Sequence, residues 1–132
     1  MDYQAEYNIK NPYKELNGIR LVKIEKDYCE AEMEIEEKHK NGTGYVHGGA
    51  FFAMADNVGG TAARTDGRRY VTQSAHINFI KNVQGGTITG IGRVVSRGRK
   101  ITIVQVTICD EKGTLLASVA CDMYCLDDKP AK

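Results

Sequence analysis

The stretch from His47 to Thr65 restricts the possible folds of this chain more than any other segment. It contains no proline and runs too long without interruption for a strand, so we expect a helix that stops at Asp66-Gly67. Small residues lie on every side of this helix: Gly48, Gly49, Ala50, Ala53, Ala55, Gly59, Gly60, Ala62 and Ala63. Interior glycines cost about 1 kcal/mol each relative to alanine, so the helix needs close packing to be stable. A strongly curved sheet wrapped around one central helix would supply that packing.

Strand-like runs flank this helix on both sides. Before it, alternating side chains predict a hairpin of two strands, Gly18 to Lys26 and Tyr28 to Glu37, after a short helix from Asn8 to Lys14. After it come four strand-like runs separated by turn sequences: Tyr70 to Lys81, Thr87 to Arg97, Lys100 to Asp110 and Thr114 to Leu126. Two strands, one helix and a four-stranded antiparallel meander form an α+β pattern. We expect a single domain over residues 1–132, because the chain is too short to divide into two.

Composition argues against several functional classes. The net charge is +1, so no overall field draws the protein toward nucleic acid or an anionic membrane. No apolar run is long enough for a membrane span, and the N-terminus lacks a signal-peptide pattern, so the expected location is cytoplasmic. The nucleotide P-loop and the GxSxG nucleophile motif are missing, and no histidines or cysteines have the spacing of a metal site. We therefore expect neither a metal ion nor a bound cofactor.

The cysteines read as structural. Cys121 and Cys125 fall on the same side of the last strand-like run, and neither Cys29 nor Cys109 belongs to a CxxC pair. This pattern favours small core side chains over reactive thiols. His39 lies in a charged run, so we expect it to be solvated.

A glycine-rich loop leads into the central helix, and a single carboxylate follows inside it. The run from Asn41 to Asp56 reads NGTGYVHGGAFFAMAD, with His47, Gly48 and Gly49 at the predicted start of the helix. The unpaired N–H groups and positive dipole of a helix N-terminus suit a developing negative charge. A carboxylate buried among apolar residues ionises less readily than in water, which suits proton transfer near neutral pH. One segment therefore carries both halves of a site for acyl transfer.

The spacing of these two halves has a consequence for assembly. Gly48 and Asp56 are eight residues apart, which corresponds to about 12 Å along an α-helix. One carbonyl group cannot contact both residues within one chain. If both act on the same carbonyl group, they come from two copies of the protein. A two-fold dimer with antiparallel central helices would bring Gly48 of one chain close to Asp56 of the other.

Taken together, these residues resemble a known family, the hotdog-fold acyl-CoA thioesterases of the phenylacetate-degradation and human thioesterase-superfamily-member-2 type. The resemblance runs from about Gly18 to Leu126 and rests on these motifs: Asn41, His47-Gly48-Gly49, Asp56-Asn57, Ser74 within VTQSAHINF, and Gly98-Arg99-Lys100. It implies a curved antiparallel sheet around one long helix, and dimers that share each active site between two subunits. One departure is visible. Family members often carry a proline after the strand of Ser74, where this chain has Lys81-Asn82-Val83.

The resemblance also implies a role for each motif residue. The Gly48 amide polarises the thioester carbonyl, and Asn41 helps to position substrate or water. Asp56 acts as general base or nucleophile, and Ser74 helps to orient the attacking water. His47 lies next to the reacting carbon and supports the loop. The predicted activity is hydrolysis of acyl-CoA thioesters to free acid and CoA, by a homodimer or a dimer of dimers (a homotetramer), with CoA as part of the substrate rather than a cofactor.

Several of these residues also have a purely structural interpretation. Asp56 would then bridge a dimer interface with Asn57 as its partner. Gly48 and Gly49 would only permit tight packing between loop and helix. Asn41 would be an ordinary turn or cap residue.

Ser74 has two interpretations as well. It would either orient water or simply bond the backbone of a buried strand. By alternation it shares a strand face with His76 and Asn78, and this polar face is a candidate wall of the cleft. His76 is also the candidate acid–base residue if the chain is a hotdog hydratase or dehydratase. The third alternative is a non-catalytic acyl-CoA-binding protein.

Two further groups of residues are candidates for substrate contacts. Arg97, Arg99 and Lys100 would bind the phosphates of CoA or would form a solubilising hairpin tip, and Arg68 and Arg69 are weaker candidates for the same contact. The acyl pocket is expected to use Phe51, Phe52 and Met54 together with residues of the facing chain.

Overall fold

The chain forms one long helix, two short ones and six strands within residues 2–128, which a computed structural model describes. The helices are α1 (Gln4–Asn8), α2 (Pro12–Leu16) and α3 (Gly48–Arg64), with a 3₁₀ turn at Glu37–His39. The strands are β1 (Arg20–Glu25), β2 (Tyr28–Glu34), β3 (Tyr70–Phe79), β4 (Thr87–Arg97), β5 (Ile101–Cys109) and β6 (Leu115–Cys125). The predicted helix and all six predicted strands are confirmed, with ends shifted by a few residues. None of the helices in residues 2–128 has the length and apolar character to cross a membrane.

The six strands form one antiparallel sheet in the order β1-β2-β4-β5-β6-β3. The prediction of a four-stranded meander is therefore wrong for its first strand, because β3 lies at the far edge beside β6 and β2 pairs with β4. The connection after β3 crosses the sheet to reach β4. At its start the Ile80 N–H donates to the Leu116 carbonyl, and at its end the Ile35 N–H donates to the Gly86 carbonyl. Long-range bonds such as these decide the pairing, and the alternation of side chains along a strand does not reveal them.

Helix α3 lies across the concave face of the sheet and is approached closely by strand β4. A methyl group added at Gly90 would lie 2.9 Å from the Met54 side chain, and one at Gly92 would lie 2.8 Å from the Val58 side chain. Bulk is therefore excluded from the strand as well as from the helix. The prediction of a small-residue helix enclosed by a curved sheet is confirmed. The packed core contains Phe51, Met54 and Val58 of α3 and the inward-facing side chains of the sheet.

The N-terminal segment differs from its prediction. Instead of one helix from Asn8 to Lys14, two short helices are separated at Asn11. Pro12 occupies the first turn of α2, where its missing N–H has no cost, and the Asn11 side chain caps that helix by accepting a bond of 3.1 Å from the Lys14 N–H. The chain therefore restarts at Asn11 instead of continuing as one helix.

His39 is buried rather than solvated, so that prediction is wrong. Its Nδ1 accepts a hydrogen bond of 2.9 Å from the Glu36 N–H, and its Nε2 lies 2.9 Å from the Asn17 carbonyl oxygen. Only 1% of its surface is exposed. The ring is satisfied at both nitrogens, and its own carbonyl accepts a bond of 2.8 Å from the His47 N–H. His39 therefore fixes the loop that precedes the central helix.

Candidate active site

The N-terminus of α3 presents one backbone amide without a partner. The helix begins at Gly48, and the exposed His47 is its cap: Nδ1 of His47 accepts a hydrogen bond of 2.8 Å from the Gly49 N–H. The His47 carbonyl accepts the first bond of the helix, from the Ala50 N–H at 2.9 Å. Within residues 2–128, no acceptor binds the Gly48 N–H. The cap therefore leaves Gly48 as the open donor at the positive end of the helix dipole.

Gly48 lies in the wall of a cavity of about 450 Å³. Its other lining residues are Asn41, Val46, Phe51, Phe79, Ile80, Lys81 and Asn82. The rings of Phe51 and Phe79 are 6.3 Å apart and tilted by 43°. Phe79 was not predicted, and it packs so closely over Gly48 that a methyl group there would lie 3.0 Å from its ring. A cavity with two aromatic rings in its wall and one open N–H donor at the start of a helix is suited to a carbonyl group carried on an acyl group.

Only one of the three residues predicted for the acyl pocket lines this cavity. Phe51 does so, with its side chain almost wholly buried. Phe52 is 38% exposed and points away from it, while Met54 is fully buried against Gly90 of strand β4. Phe52 directly follows Phe51 and therefore lies on another face of α3. Met54 shares the core face with Phe51 but lies about one turn further along the helix, against strand β4.

Asn41 is a turn residue that also lies in the cavity wall. Its Oδ1 accepts three hydrogen bonds within its own turn, from the Thr43 N–H (2.9 Å), the Thr43 hydroxyl (2.8 Å) and the Tyr45 N–H (3.1 Å). It also lines the cavity of Gly48, and its Nδ2 has no acceptor in the part of the chain that the structure describes. The oxygen therefore shapes the loop, and the amide nitrogen stays open to a ligand.

Asp56 lies in a different cavity from Gly48. This second cavity, of about 320 Å³, is lined by Asn11, Asp56, Asn57, Gly60, Arg64, Tyr70, Val71, Thr72 and Met123, and it shares no lining residue with the first. Asp56 is half-buried rather than buried, because it faces this opening. Its Oδ1 accepts a hydrogen bond of 2.6 Å from the Thr72 hydroxyl. Within one protomer, the amide and the carboxylate are therefore separated as their spacing predicted.

Asn57 is not the partner of Asp56. Its Nδ2 donates to the Ala53 carbonyl (2.8 Å), one turn earlier in α3, and its Oδ1 accepts a bond of 3.1 Å from the Asn11 side chain. Asn57 therefore attaches the N-terminal segment to the central helix and leaves Asp56 to Thr72.

Ser74 lies on the other face of the sheet from Asp56. The pairing of β3 with β6 shifts at Gln73, so that Thr72 faces Met123 and the helix, while Ser74 faces Asp122. The Ser74 hydroxyl donates a bond of 2.7 Å to Asp122. His76 and Asn78 follow on this outer face by alternation and line neither cavity. The bulge turns this polar face outward, so it lines neither cavity of the described chain, and its place in the cleft stays a prediction.

Thr72 is the site residue that sequence reasoning missed. A threonine two positions before Ser74 was visible, but both belong to the same face of a regular strand, so alternation could not separate them. The bulge at Gln73 selects Thr72 for the helix side. Such a bulge leaves no clear signature in a single sequence.

Arg97 points into the protein instead of toward a ligand. Its side chain is only 10% exposed, and Nη2 lies 2.7 Å from Asp27 Oδ1. Nη1 donates to the Ala63 carbonyl at 2.8 Å and lies 3.0 Å from Asp66 Oδ2. The guanidinium thus neutralises two carboxylates and binds a carbonyl at the C-terminus of α3, where a positive charge is favoured. The prediction that Arg97 binds phosphate does not hold.

Arg68 belongs to the same buried cluster. Its Nε donates to Asp66 Oδ2 at 2.7 Å, and the Tyr70 hydroxyl donates to the same oxygen at 2.7 Å. Burial raises the pKa of Asp66, but the bonds from Tyr70 and Arg68 and the charge of Arg97 outweigh it, so the pKa lies below its ordinary value. This cluster connects the end of the helix to the sheet, and Arg68 is not available to a ligand either.

The remaining basic candidates differ in how accessible they are. Lys100 lies 3.2 Å from Asp128, and Arg69 lies 2.8 Å from Asp127, so both are paired. Arg99 is exposed and forms no ion pair within residues 2–128, although its carbonyl accepts a bond of 2.7 Å from Arg68. Of the predicted phosphate contacts, Arg99 is the one whose charge is not neutralised by a carboxylate of residues 2–128.

The cysteines belong to the core, as predicted. Cys29, Cys121 and Cys125 are buried, and Cys109 is half-buried. Burial raises the pKa of the Cys29 thiol to about 12 and that of Cys121 to about 11, so both stay protonated near neutral pH. Across residues 2–128, no cluster of three His, Cys, Asp or Glu side chains is arranged to hold a metal ion.

A curved antiparallel sheet around a single central helix, with an open amide at the start of that helix, defines a hotdog-type protein. The family model of the thioesterase superfamily matches residues 43–117, more than half of the chain. The chain is also 30% identical over 103 residues to the 1,4-dihydroxy-2-naphthoyl-CoA hydrolase of Escherichia coli, with 76% of each protein covered. This protein therefore belongs to the thioesterase superfamily, a family of hydrolases.

Solved structures agree with this assignment. The PaaI protein from the phenylacetic acid degradation operon of Escherichia coli has the same fold, with a TM-score of 0.88, 20% identity, and 93% of this chain and 88% of that one covered. The smu.793 protein of Streptococcus mutans, solved with acetyl CoA bound, has a TM-score of 0.79 and 27% identity, with 86% of this chain and 90% of that one covered. The predicted hotdog fold and thioesterase resemblance are confirmed.

Proposed function

We propose that this protein hydrolyses acyl-CoA thioesters to a free acid and CoA. The observation that carries the proposal is the Gly48 N–H, which is open at the start of α3 and lies in the wall of the cavity lined by Phe51 and Phe79. Membership of the thioesterase superfamily supports the reaction class. The CoA part of the substrate is supported by two similar proteins, one named as an acyl-CoA hydrolase and one solved with acetyl CoA.

The proposed chemistry divides the work between an amide and a carboxylate. The thioester oxygen accepts a hydrogen bond from the Gly48 N–H, which is worth roughly 3–4 kcal/mol to the transition state. Asp56 takes a proton from a water molecule that attacks the carbonyl carbon, a contribution of about 10²–10⁴-fold. The C–S bond then breaks, and CoA leaves as a thiolate that is protonated afterwards. Direct attack by Asp56, through an anhydride that water hydrolyses, is the alternative first step.

Asn41 and His47 support the amide in this proposal. His47 holds the Gly49 N–H and thereby leaves Gly48 as the donor for the substrate. Asn41 keeps its Oδ1 in the loop and offers its Nδ2 to substrate or water. Ser74 has no part in the proposed reaction, because it is bonded to Asp122 on the outer face of the sheet.

The complete site requires two chains. Gly48 and Asp56 are separated by eight residues of one unbroken helix and lie in two cavities with no lining residue in common. An antiparallel pair of α3 helices related by a two-fold axis would join the first cavity of one chain to the second cavity of the other. We therefore propose a homodimer, alone or as half of a dimer of dimers, with two shared active sites.

The first experiment measures release of free thiol from a panel of aryl- and fatty-acyl-CoAs. We expect wild-type turnover, and a loss of at least about 100-fold in kcat for Asp56→Asn with CoA binding retained. Gly48→Pro removes the N–H, adds a ring and suits the first position of a helix. Gly48→Ala keeps the N–H and adds a methyl group 3.0 Å from the Phe79 ring, so it controls for the crowding that both variants introduce there. We expect Gly48→Pro to lose far more activity than Gly48→Ala.

Three outcomes would contradict the proposal. CoA binding without turnover by the wild type would indicate a non-catalytic acyl-CoA-binding protein. Addition of water to an enoyl-CoA with no thiol release would indicate a hydratase. Full activity of Asp56→Asn would remove the carboxylate from the mechanism.

Mixed dimers test the shared site directly. Asp56→Asn and Gly48→Pro are each expected to be inactive alone, but a mixed dimer of the two has one site with both groups intact. Random mixing after unfolding and refolding together should recover about a quarter of wild-type activity, because half of the dimers are mixed and each has one good site. No recovery in a mixture shown by mass spectrometry to contain mixed dimers would contradict the two-chain site.

A further inference from the structure

Lys81 is a positive charge in the wall of the cavity that contains the open Gly48 N–H. Every other residue that lines this cavity is uncharged: Asn41, Val46, Phe51, Phe79, Ile80 and Asn82. The Lys81 ammonium group forms no ion pair with any carboxylate in residues 2–128. Lys81 therefore brings the one formal charge to the described lining of this cavity, without a counter-charge from residues 2–128.

The backbone under Lys81 is held in place on both sides. The N–H groups of Ile80 and Lys81 both donate to the Leu116 carbonyl, at 2.8 and 3.1 Å. One residue later, the Asn82 side chain donates to the Val46 carbonyl at 2.9 Å, next to the start of the central helix. The backbone of Lys81 is therefore fixed relative to the start of α3, and its exposed side chain extends from a defined point in the cavity wall.

The size of the cavity indicates which part of a substrate Lys81 would meet. A cavity of about 450 Å³ matches the lower part of the range of small-ligand sites, which suits an acyl group. The phosphates of CoA are separated from the thioester by the whole pantetheine arm. That arm does not fit this cavity beside an acyl group. An anion held by Lys81 while the carbonyl lies at Gly48 therefore belongs to the acyl group.

We propose that Lys81 selects acyl groups that carry a second negative charge, a carboxylate or an ionised phenol, on the side away from the thioester. This inference rests on the proposed thioesterase function and adds the chemical class of its substrate. The rings of Phe51 and Phe79, 6.3 Å apart, contact the apolar part of the acyl group between the two polar ends. The Lys81 ammonium forms a charge-assisted bond with the distal anion.

The test uses two acyl groups of similar size, 4-carboxybenzoyl and 4-methylbenzoyl. Each is supplied as a CoA thioester and as a pantetheine thioester, which lacks the phosphates. Wild type, Lys81→Gln and the charge-retaining control Lys81→Arg are compared by kcat/KM. We expect Lys81→Gln to lose about tenfold on both carboxylated thioesters and less than about twofold on both methylated ones, with Lys81→Arg close to wild type.

The possible results separate the explanations. An equal loss on carboxylated and methylated thioesters would overturn the proposal. So would a loss confined to the CoA thioesters, because it would assign Lys81 to the phosphates. If the wild type hydrolyses none of the four, the wider acyl-CoA panel decides the proposed function separately, and calorimetry with non-hydrolysable thioether analogues decides the role of Lys81. Weaker binding of only the carboxylated analogue to Lys81→Gln would then support it, and unchanged binding would overturn it.

Discussion

The Thr72 hydroxyl donates a 2.6 Å hydrogen bond to Oδ1 of Asp56 and so joins strand β3 to the central helix at the proposed catalytic carboxylate. The same hydroxyl lies 3.7 Å from the sulfur of Met123 on β6, so it is held between the sheet and α3. Oδ2 of Asp56 has no hydrogen-bond partner in residues 2–128. The carboxylate is therefore oriented through one oxygen and open at the other, which is the arrangement that a base or nucleophile requires.

Thr72 is accordingly predicted to be a positioning residue. Thr72→Val keeps the shape of the side chain but removes the donor, so we expect kcat to fall about tenfold with little change in KM. Thr72→Ser keeps the hydroxyl and should recover most of that activity. Steady-state kinetics with one acyl-CoA substrate measure both parameters, and a change in KM alone would contradict the prediction.

Ser74 supplies the matched control on the same strand. Because its hydroxyl is bonded to Asp122 on the outer face, Ser74→Ala should keep kcat within about twofold of wild type. If instead Ser74→Ala loses as much activity as Thr72→Val, the water-orienting role that the family resemblance implied for Ser74 is right.

Arg97 is predicted to be a major source of stability. Arg97→Met leaves the 42% exposed Asp27 without its cation. It also removes one of the two cations of the buried Asp66 and the bond to the Ala63 carbonyl, so we expect a loss of about 2–3 kcal/mol. Denaturant unfolding monitored by circular dichroism measures this loss. The control is Arg93→Met. The exposed Arg93 guanidinium lies over the Tyr28 ring, with its central carbon 5.2 Å from the ring centroid. Loss of this contact should lower the free energy of unfolding by about 1 kcal/mol or less. Similar small losses for both variants would show that the Arg97 cluster adds little.

The Asp66 cluster also predicts how stability changes with pH. The folded pKa of Asp66 lies below its ordinary value, so its contribution is fully present above the unfolded pKa of about 3.9. That contribution is lost as pH falls through the lower, folded pKa. Melting temperatures from pH 7 to pH 2 should therefore drop steeply below about pH 4. The melting temperature of Asp66→Asn should be lower than that of the wild type at pH 7 and should fall less over this acidic range. A parallel fall of both melting temperatures would contradict the prediction.

The close approach of β4 to α3 predicts a steric cost at Gly92. A methyl group there would lie 2.8 Å from the Val58 side chain and 3.3 Å from its carbonyl oxygen, so Gly92→Ala should destabilise the protein by about 1–3 kcal/mol. Gly85→Ala is the control, because nothing lies within 4 Å of a methyl group at that position. Combined with Val58→Ala, the cost of Gly92→Ala should shrink. Additive costs in this double-mutant cycle would contradict the contact.

The local sequence pattern was sufficient to predict the central helix and the separation of Gly48 from Asp56 along it. The run of small residues up to Asp66-Gly67 predicted an enclosed helix, and Gly90 and Gly92 show why bulk is excluded. The eight-residue spacing of Gly48 and Asp56 predicted that the two groups are apart, since the rise of a helix depends on the backbone alone. Both features depend only on residues that are close together in the sequence, so the sequence by itself determined them.

Contacts between distant segments decided the rest. The bulge at Gln73 arises from the register of β3 against β6. Because of it, Thr72 rather than Ser74 contacts the Asp56 carboxylate. Arg97 turns inward because Asp27 and Asp66, distant in sequence, meet it at the end of α3. Burying a charged side chain is costly unless partners of opposite charge compensate it, and only the folded chain brings those partners within reach.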